Sequence, residues 1–388
     1  MEKIRVLHII TDTDIGGAER MLEKLLQFSD MDRFEPEVLS LLPVDAVGRA
    51  IQAMGVPVET AGMSSGLPSL RQLLRVYKWI KVRKPSIVQT WMYHADLIGG
   101  VAARCAGTPV VWGIHQSNLN PRVNSSNTML SARLGKLLSG TVPHSIVCCS
   151  FASAESHTAF GYNSEKMRII HNGFEVPPII PRTQRYLRGE LGIKENSFVV
   201  GMVARFDPQK DHGTFIKAAR RLYEKHRKVQ FILCGEDVDR SNTVLLEMIR
   251  RYSDTGFENS VHLIGRRGDM EQVYAAMDIL GTSSVGEGLP LVVGEAMARG
   301  IPCVVTDVGD SAHVVGETGI VVPAEDSKKL SEAWSFMYQL TDSELLERGK
   351  AARLRIENEL NIKTAVKKYH DLYTSILEGN SMKCCNNQ

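Results

Sequence analysis

The sequence lacks most marks of an exported or membrane-spanning protein. No uninterrupted apolar run approaches the ~20 residues needed to cross a bilayer. The opening MEKIRVLHII has neither the long apolar segment nor the small-residue cleavage site of a secretory leader. Seven cysteines are scattered, apart from the pairs Cys148-Cys149 and Cys384-Cys385, and vicinal cysteines are poor disulfide partners. No Cys-x-x-Cys pair or Cys/His set has zinc-ligand spacing. Reduced thiols and a cytoplasmic compartment are expected. A dominant charge is missing too: 46 Lys and Arg stand against 44 Asp and Glu, a net of +2, so no global field marks a nucleic-acid partner. What is present is a well-cored composition, 43% apolar and 23% charged over 388 residues, which excludes a disordered chain and suits two domains.

Strand-like and helix-like segments alternate throughout. Ile4–Ile10 is an apolar run of strand length, followed by Ala18–Phe28 with Ala18, Met21, Leu22, Leu25 and Leu26 at helical spacing. Glu37–Leu41, Ile87–Gln89, Val110–Ile114 and Ile146–Cys149 read as further strands, with helices at Leu70–Val82, Ala95–Cys105 and Met129–Leu138. Three prolines within Val176–Arg182 read as an interdomain linker. The alternation then restarts, with strands at Val199–Val203, Gln230–Leu233, Val261–Leu263, Ile279–Leu280 and Cys303–Thr306. Helices are expected at Gly213–Glu224, Val244–Tyr252 and Pro290–Arg299, and three more close the chain at Lys328–Leu340, Asp342–Glu357 and Ile362–Leu377. Apolar strands separated by helices imply α/β architecture: two doubly wound parallel-sheet domains, 1–177 and 178–361, with a ligand cleft at the carboxyl ends of the strands.

The loops after the strands carry the candidate chemistry. After the first strand, Gly16-Gly17 ends a loop where a helix begins, which makes either an anion site or a tight turn needing only glycine flexibility. The dinucleotide fingerprint G-x-G-x-x-G is absent and no acid ends the second strand at Ser40, which disfavours hydride transfer. Asp12-x-Asp14 looks like a metal-binding pair, but Asp beside a glycine turn commonly bonds its own loop, and no metal site is expected. In the second half, Arg205 and Lys210 bring a planar fork and a point charge to one strand end, a pair suited to a diphosphate whose leaving charge must be stabilised. Glu287 precedes a helix start and Glu295 lies inside that helix. The amides of Leu291 and Val292 can bind phosphate and the flanking carboxylates can accept from hydroxyls, together describing a nucleotide sugar. The competing reading makes Glu287 a helix cap and Glu295 a solvated residue.

Gly16-Gly17-Ala18-Glu19-Arg20, Arg205 with Lys210, Glu287-x7-Glu295 and Asn172-Gly173-Phe174-Glu175 stand in the order and spacing of the family-four glycosyltransferases. From Arg5 to about Tyr373 the chain resembles that family, whose members are retaining enzymes of the GT-B fold, two Rossmann-like domains facing across a cleft. The resemblance implies a nucleotide-sugar donor in the second domain and an acceptor in the first, with the helix at 362–378 crossing back to the first. Arg205 and Lys210 would hold the diphosphate, Glu295 the ribose diol, and Glu287 with amides around Gly288 and Leu289 the transferred sugar. Gly16 and Gly17 would approach the phosphates from the opposite domain; Gly235-Glu236 and Gly265-Arg266, which end strands of the second domain, would flank the base. His115 matches the family's His after a first-domain strand, although Gln116 follows it where a small polar residue is usual, and His313 stands where Glu is frequent. His115 is therefore expected to orient and stabilise, the leaving phosphate itself taking the acceptor's proton. No cofactor or metal is required on this reading, and a UDP-sugar is the expected donor. A sugar-nucleotide epimerase of the same fold and a non-catalytic nucleotide-sugar-binding module are the alternatives.

One local asymmetry hides in the neutral total. From Thr60 to Ala154 the only acid is Asp96, against ten Lys and Arg. Six of these, Arg71, Arg75, Lys78, Lys81, Arg83 and Lys84, fall in fourteen residues, where Leu70, Leu73, Leu74, Tyr77 and Ile80 repeat at three and four and form an apolar helix face. The basic remainder is either a solvated face or a surface for anionic phospholipid, each cation near a bilayer contributing ~1 kcal/mol. Lipid-linked glycan acceptors sit at such a surface. The expectation is a cytoplasmic enzyme held peripherally at the inner face of a bacterial membrane, working in O-antigen or capsule assembly.

Overall fold

A computed structural model describes residues 3–63, 69–117, 119, 125–181, 184–252 and 256–385. It divides into two compact units, Met1–Gly173 with Ile362–Gln388, and Phe174–Asn361.

The first unit holds β1 (Ile4–Ile10), β2 (Phe34–Ser40), β3 (Val58–Thr60), β4 (Ile87–Trp91), β5 (Val110–Ile114), β6 (Ser145–Cys148) and β7 (Met167–Ile169). They form one parallel sheet in the order β3-β2-β1-β4-β5-β6-β7. Its helices are α1 (Gly17–Gln27), α2 (Ala46–Ala53), α3 (Leu70–Arg83), α4 (Tyr93–Ala95), α5 (Val101–Ala106), α6 (Ser126–Leu138) and α7 (Phe151–Phe160). Both faces of the sheet are covered, so β1, β4 and β5 are near-continuously buried rather than alternating. One core gathers α1 and α2 residues with Tyr369 and Tyr373 from the chain's last helix; the other gathers Val76 and Ile80 of α3 with Ala132 of α6. Between α4 and α5 the helix widens into a π-turn at Asp96–Gly100, where a Cβ on Gly100 would lie 2.3 Å from the Trp112 indole nitrogen. Two successive glycines let this stretch press onto the sheet.

The second unit repeats the plan with β8 (Val199–Val203), β9 (Gln230–Cys234), β10 (Val261–Leu263), β11 (Ile279–Gly281), β12 (Cys303–Thr306) and β13 (Ile320–Val322), parallel in the order β10-β9-β8-β11-β12-β13. Around it lie α8 (Tyr186–Glu190), α9 (His212–Lys225), α10 (Thr243–Arg250), α11 (Met270–Ala275), α12 (Leu291–Ala298), α13 (Ser311–Val315), α14 (Ser327–Gln339) and α15 (Asp342–Glu359). In each sheet the strand order reverses beside the first strand, between β1 and β4 and between β8 and β11. Ligands of open α/β sheets bind outside the carboxyl ends of strands at such a switch point.

The chain passes between units at Gly173–Phe174, four residues before the boundary expected at 177/178. The prolines end regular structure, but the second core already begins at Phe174, 1% exposed, whose amide bonds the Leu360 carbonyl at 2.8 Å. At the far end α16 (Ile362–Cys385) returns to the first unit, where the Tyr373 hydroxyl donates to Gln89 and His370 stacks on Phe34 with centroids 3.8 Å apart. Short edge strands β3, β7 and β13, and helices α2 and α7, were not expected from the sequence: three residues cannot display a period, and Ser, Thr and His dilute the apolar stripe of α7.

Candidate functional site

Three loops of the second unit meet at the switch point. The first follows β8. Gly235 has no Cβ, which would lie 2.0 Å from the Ala204 carbonyl, so the neighbouring loop can cross close by and accept Phe206 N–H through Glu236 O at 2.8 Å. Arg205, with 58% of its side chain exposed, pairs with Asp207 at 3.1 Å. Asp207 also accepts from the Gln209 amide, closing a short 3-10 turn at Pro208–Lys210; Asp211, at φ +44°, then caps α9 through the Thr214 amide. Burial opposes ionisation of Asp207, but the Gln209 N–H, Arg205 and Lys210 outweigh it and hold the carboxyl below its usual range.

That turn aims Lys210 at the second loop, after β11, where its Nζ lies 2.6 Å from Glu287 Oε1. The Ser284 hydroxyl donates to the same oxygen at 2.6 Å. The Ser283 hydroxyl ties the loops together by bonding the carbonyls of Lys210 and Asp211, each at 2.9 Å. Gln209 completes the lacing, accepting from the Val285 amide and donating to the Gly286 carbonyl. The third loop, after β12, backs Glu287: the Asp310 amide donates to Gly288 O at 2.9 Å, and a Cβ on Gly309, φ +54°, would lie 2.4 Å from Glu287 O.

Glu287 is therefore neither a helix cap nor a solvated acid. Helix α12 starts at Pro290, which is its N-cap rather than its first helical residue, and no side chain caps it. The amides of Leu291 and Val292 precede the first one with an acceptor in the helix, Val293 N–H bonding Pro290 O at 3.1 Å, which leaves them for a ligand. Glu295 is half-buried inside the helix and accepts from the Tyr274 hydroxyl at 2.7 Å. Phe174 of the Asn-Gly-Phe-Glu motif supports the same helix, its Cζ only 2.2 Å from where a Gly294 Cβ would stand. Thus Lys210 and Glu287 touch, whereas Arg205 is engaged by Asp207 and does not pair with Lys210. Arg266 is exposed beyond Gly265, with no contact to the others among the described residues. Ser284 and Tyr274 were not expected; a serine pair three residues ahead of Glu287 was the only available sign.

In the first unit the Gly16-Gly17 loop also sits at a switch point. Gly16 adopts φ −146°, open to any residue, so flexibility is not its purpose. A Cβ there would lie 2.2 Å from Glu19 Oε2. Burial, reinforced by Asp12 and Asp14, pushes the Glu19 carboxyl up to about 7 despite a bond to its own backbone amide. Asp12 accepts from the Asp14 amide at 3.3 Å, a local turn bond. Among the described residues no group of three or more His, Cys, Asp and Glu is placed to hold a metal ion. His115 follows β5 with its ring stacked on Trp91, centroids 4.8 Å apart. Both its ring nitrogens and Asn172 Oδ1 are buried without a hydrogen-bond partner among the described residues. Burial lowers the His115 pKa to about 4, only partly offset by Asn172 beside it.

The basic helix differs from expectation. Of the expected apolar face, Ile80 is buried and Leu73 and Tyr77 pack against the core beside Val76, whereas Leu70 and Leu74 are 72% and 49% exposed, as is Val82 at 78%. Arg83 turns to Glu59 and Glu37 and lies over Trp79, so it leaves the basic face; Arg71, Arg75, Lys78, Lys81 and Lys84 stay exposed. Asp96 is 1% exposed, bonded to the Thr90 hydroxyl at 2.5 Å, and burial holds its carboxyl well above the usual range.

Two family profiles match the chain: "Glycosyltransferase Family 4" over residues 15–176 and "Glycosyl transferases group 1" over 197–339. An Escherichia coli UDP-Gal:alpha-D-GlcNAc-diphosphoundecaprenol alpha-1,3-galactosyltransferase is 26% identical over 97% of this chain and 98% of its own length. The putative glycosyltransferase EpsF of Bacillus subtilis is 25% identical over 78% of this chain and 79% of its own. Among solved structures, Anabaena Alr3699/HepE in complex with UDP superimposes with a TM-score of 0.82 at 22% identity, covering 96% of this chain and all of that one. With both halves matched and the chain folded as two Rossmann-like units, it belongs to the family 4, group 1 glycosyltransferases of the GT-B fold.

Proposed function

We propose that this glycosyltransferase moves a sugar from a UDP-sugar to a hydroxyl of a lipid-diphosphate-linked glycan, with retention of configuration, in the assembly of a bacterial surface polysaccharide. The observation that carries the proposal is Lys210 held on Glu287 at 2.6 Å beside the uncapped start of α12. A cation, two open amides and a carboxylate in one place match a diphosphate joined to a hydroxylated ring. The Escherichia coli relative's name supplies the UDP-sugar donor and the lipid-diphosphate acceptor, and Anabaena HepE was solved with UDP-glucose.

In this reading Lys210 and Arg205 exchange their carboxylate partners for the diphosphate, whose developing charge they stabilise with the amides of Leu291 and Val292. The bond from the anomeric carbon to the phosphate oxygen breaks, that carbon bonds the acceptor oxygen on the same face, and the acceptor's proton passes to the leaving phosphate. Glu287, released from Lys210, and the amides around Gly288 and Leu289 hold the sugar's hydroxyls. Glu295 accepts from the ribose diol, and Arg266 lies by the base. Gly16 and Gly17 offer backbone amides to a phosphate. His115, neutral at pH 7 with a pKa of about 4, offers one N–H and one lone pair and orients a hydroxyl without acting as a base. No metal or other cofactor enters.

The acceptor unit docks on an anionic bilayer. Leu70, Leu74 and Val82, with Arg71, Arg75, Lys78 and Lys81 between them, share one arc of about 140° on α3. Helix α6 repeats the pattern, with Leu130, Leu134 and Leu137 exposed beside Arg133 and Lys136. Both helices bury their inner residues in the same core, so both patterns project from one face of the sheet. With Asp96 buried, no acid from Thr60 to Ala154 reaches that surface. No described helix is long and apolar enough to cross a membrane, so attachment would be peripheral.

Nucleotide release from UDP- and GDP-sugars, with and without a synthetic diphosphate-lipid acceptor and EDTA, tests the proposal. Acceptor-dependent release of UDP, unchanged by EDTA, is expected. Conversion of the donor without acceptor would instead indicate an epimerase, binding without turnover a non-catalytic module, and loss of activity in EDTA would overturn the metal-free mechanism.

A further inference from the structure

Glu295 does not stand alone. Tyr274, on α11, is fully buried and donates its hydroxyl to Glu295 Oε2 at 2.7 Å. Among the described residues the other oxygen, Oε1, accepts no hydrogen bond. Arg299 braces both partners: its guanidinium carbon lies 4.8 Å from the Tyr274 ring centroid, and Nη1 donates to the Glu295 carbonyl at 2.8 Å. Arg299 is itself held by Glu271, from the same helix as Tyr274. The root of α11 is anchored by Arg188, whose Nε donates to the Ala276 carbonyl at 2.9 Å while Nη2 pairs with Asp278 at 2.8 Å. Burial and the neighbouring Glu295 carboxylate keep the Tyr274 phenol protonated, so it is a permanent donor. Behind its ring a cavity opens toward Ile179, Met277 and Leu346, so that truncating the ring would enlarge a void.

We propose that Tyr274 is the positioning residue for nucleotide recognition: by occupying Oε2 it turns Oε1 of Glu295 outward as the acceptor for a ribose diol. The physical reason is degeneracy. A carboxylate on a long side chain rotates freely about its last bond, and its two oxygens are equivalent until one is claimed. A buried phenol makes that choice before the ligand arrives, so ordering is not paid during binding. This deepens the proposed role of Glu295 and rests on it.

The test uses the full-length protein, the variants Tyr274→Phe and Glu295→Gln, and calorimetric binding of UDP and of 2′,3′-dideoxy-UDP. The wild type should prefer the ribose form. Tyr274→Phe should bind UDP about tenfold more weakly and leave the dideoxy affinity unchanged, collapsing the ratio while the melting temperature stays close to wild type. A role in packing alone would weaken both nucleotides equally or only lower the melting temperature, and either outcome would overturn the proposal. If Glu295→Gln loses the preference while Tyr274→Phe keeps it, Tyr274 is no positioning residue although Glu295 still binds ribose. If Glu295→Gln also keeps the preference, the reading of Glu295 fails and takes this inference with it.

Discussion

Replacing Lys210 by Ala separates structural from ligand roles at the candidate site. In the folded protein Lys210 and Glu287 are 19% and 12% exposed at the side chain, with Ser284 donating to the same carboxylate oxygen. Breaking a buried pair at one end costs about 3–5 kcal/mol. Ser284 remains and some water reaches the pair, so about 2 kcal/mol is the expected loss, or about 4–8 °C in the melting temperature of a unit of this size. Losing a charge-assisted contact to diphosphate should independently weaken UDP binding by roughly 10–150-fold, equivalent to about 1.5–3 kcal/mol. Uridine, which has no phosphate, serves as the control and should bind unchanged. The double variant Lys210→Ala/Glu287→Ala then decides. If Lys210 served only to neutralise Glu287, removing both would restore stability and UDP affinity together. If it holds the diphosphate, stability returns and affinity does not. UDP affinity within twofold of wild type in Lys210→Ala would refute the reasoning.

Gly294→Ala should drive a methyl into the Phe174 ring and cost about 1–3 kcal/mol by chemical denaturation, with partial rescue by Phe174→Leu; an unchanged midpoint would show that this packing does not support α12. Folding should weaken as pH falls from 6.5 to 4, because burial lowers His8 to about 3 and His115, His157, His212 and His370 to about 4, so the unfolded chain binds protons there that the folded chain refuses. Glu19, raised to about 7, and the buried Asp96 oppose this, but burial lowers His94, His226 and His262 as well, so two groups stand against eight, the net slope still favours acid destabilisation, and His115→Asn should flatten it by about 1.4 kcal/mol per pH unit; a flat denaturant midpoint across this range would contradict the sign. Binding to anionic vesicles should fall with salt and weaken on Leu74→Ser, while Arg75→Ala should cost ~1 kcal/mol; equal binding to neutral vesicles would exclude the electrostatic part of the docking surface.

Much of the architecture is legible in the sequence. Long apolar runs such as Ile4–Ile10 declare buried parallel strands, and the loops with Gly16, Arg205 and Glu287 follow strands simply because the chain is continuous. Spacing within one segment is a local property, and local periods survive in sequence. Pairing is not local. Lys210 and Glu287 are 77 residues apart, and they meet because β8 lies beside β11 with β9 and β10 set to one side. Tyr274 reaches Glu295 only because the fold brings α11 within side-chain reach of α12, and Asp96 is withdrawn from solvent only because a π-turn folds it inward. The same distinction governs α3: its amphipathic period was visible, but which leucines are covered depends on the neighbouring elements that pack against the helix. Sequence thus determined which groups stand at the strand ends, and the tertiary structure alone decided their partners, since a contact's energy depends on distance in space and on the water excluded there, neither of which is set by distance along the chain.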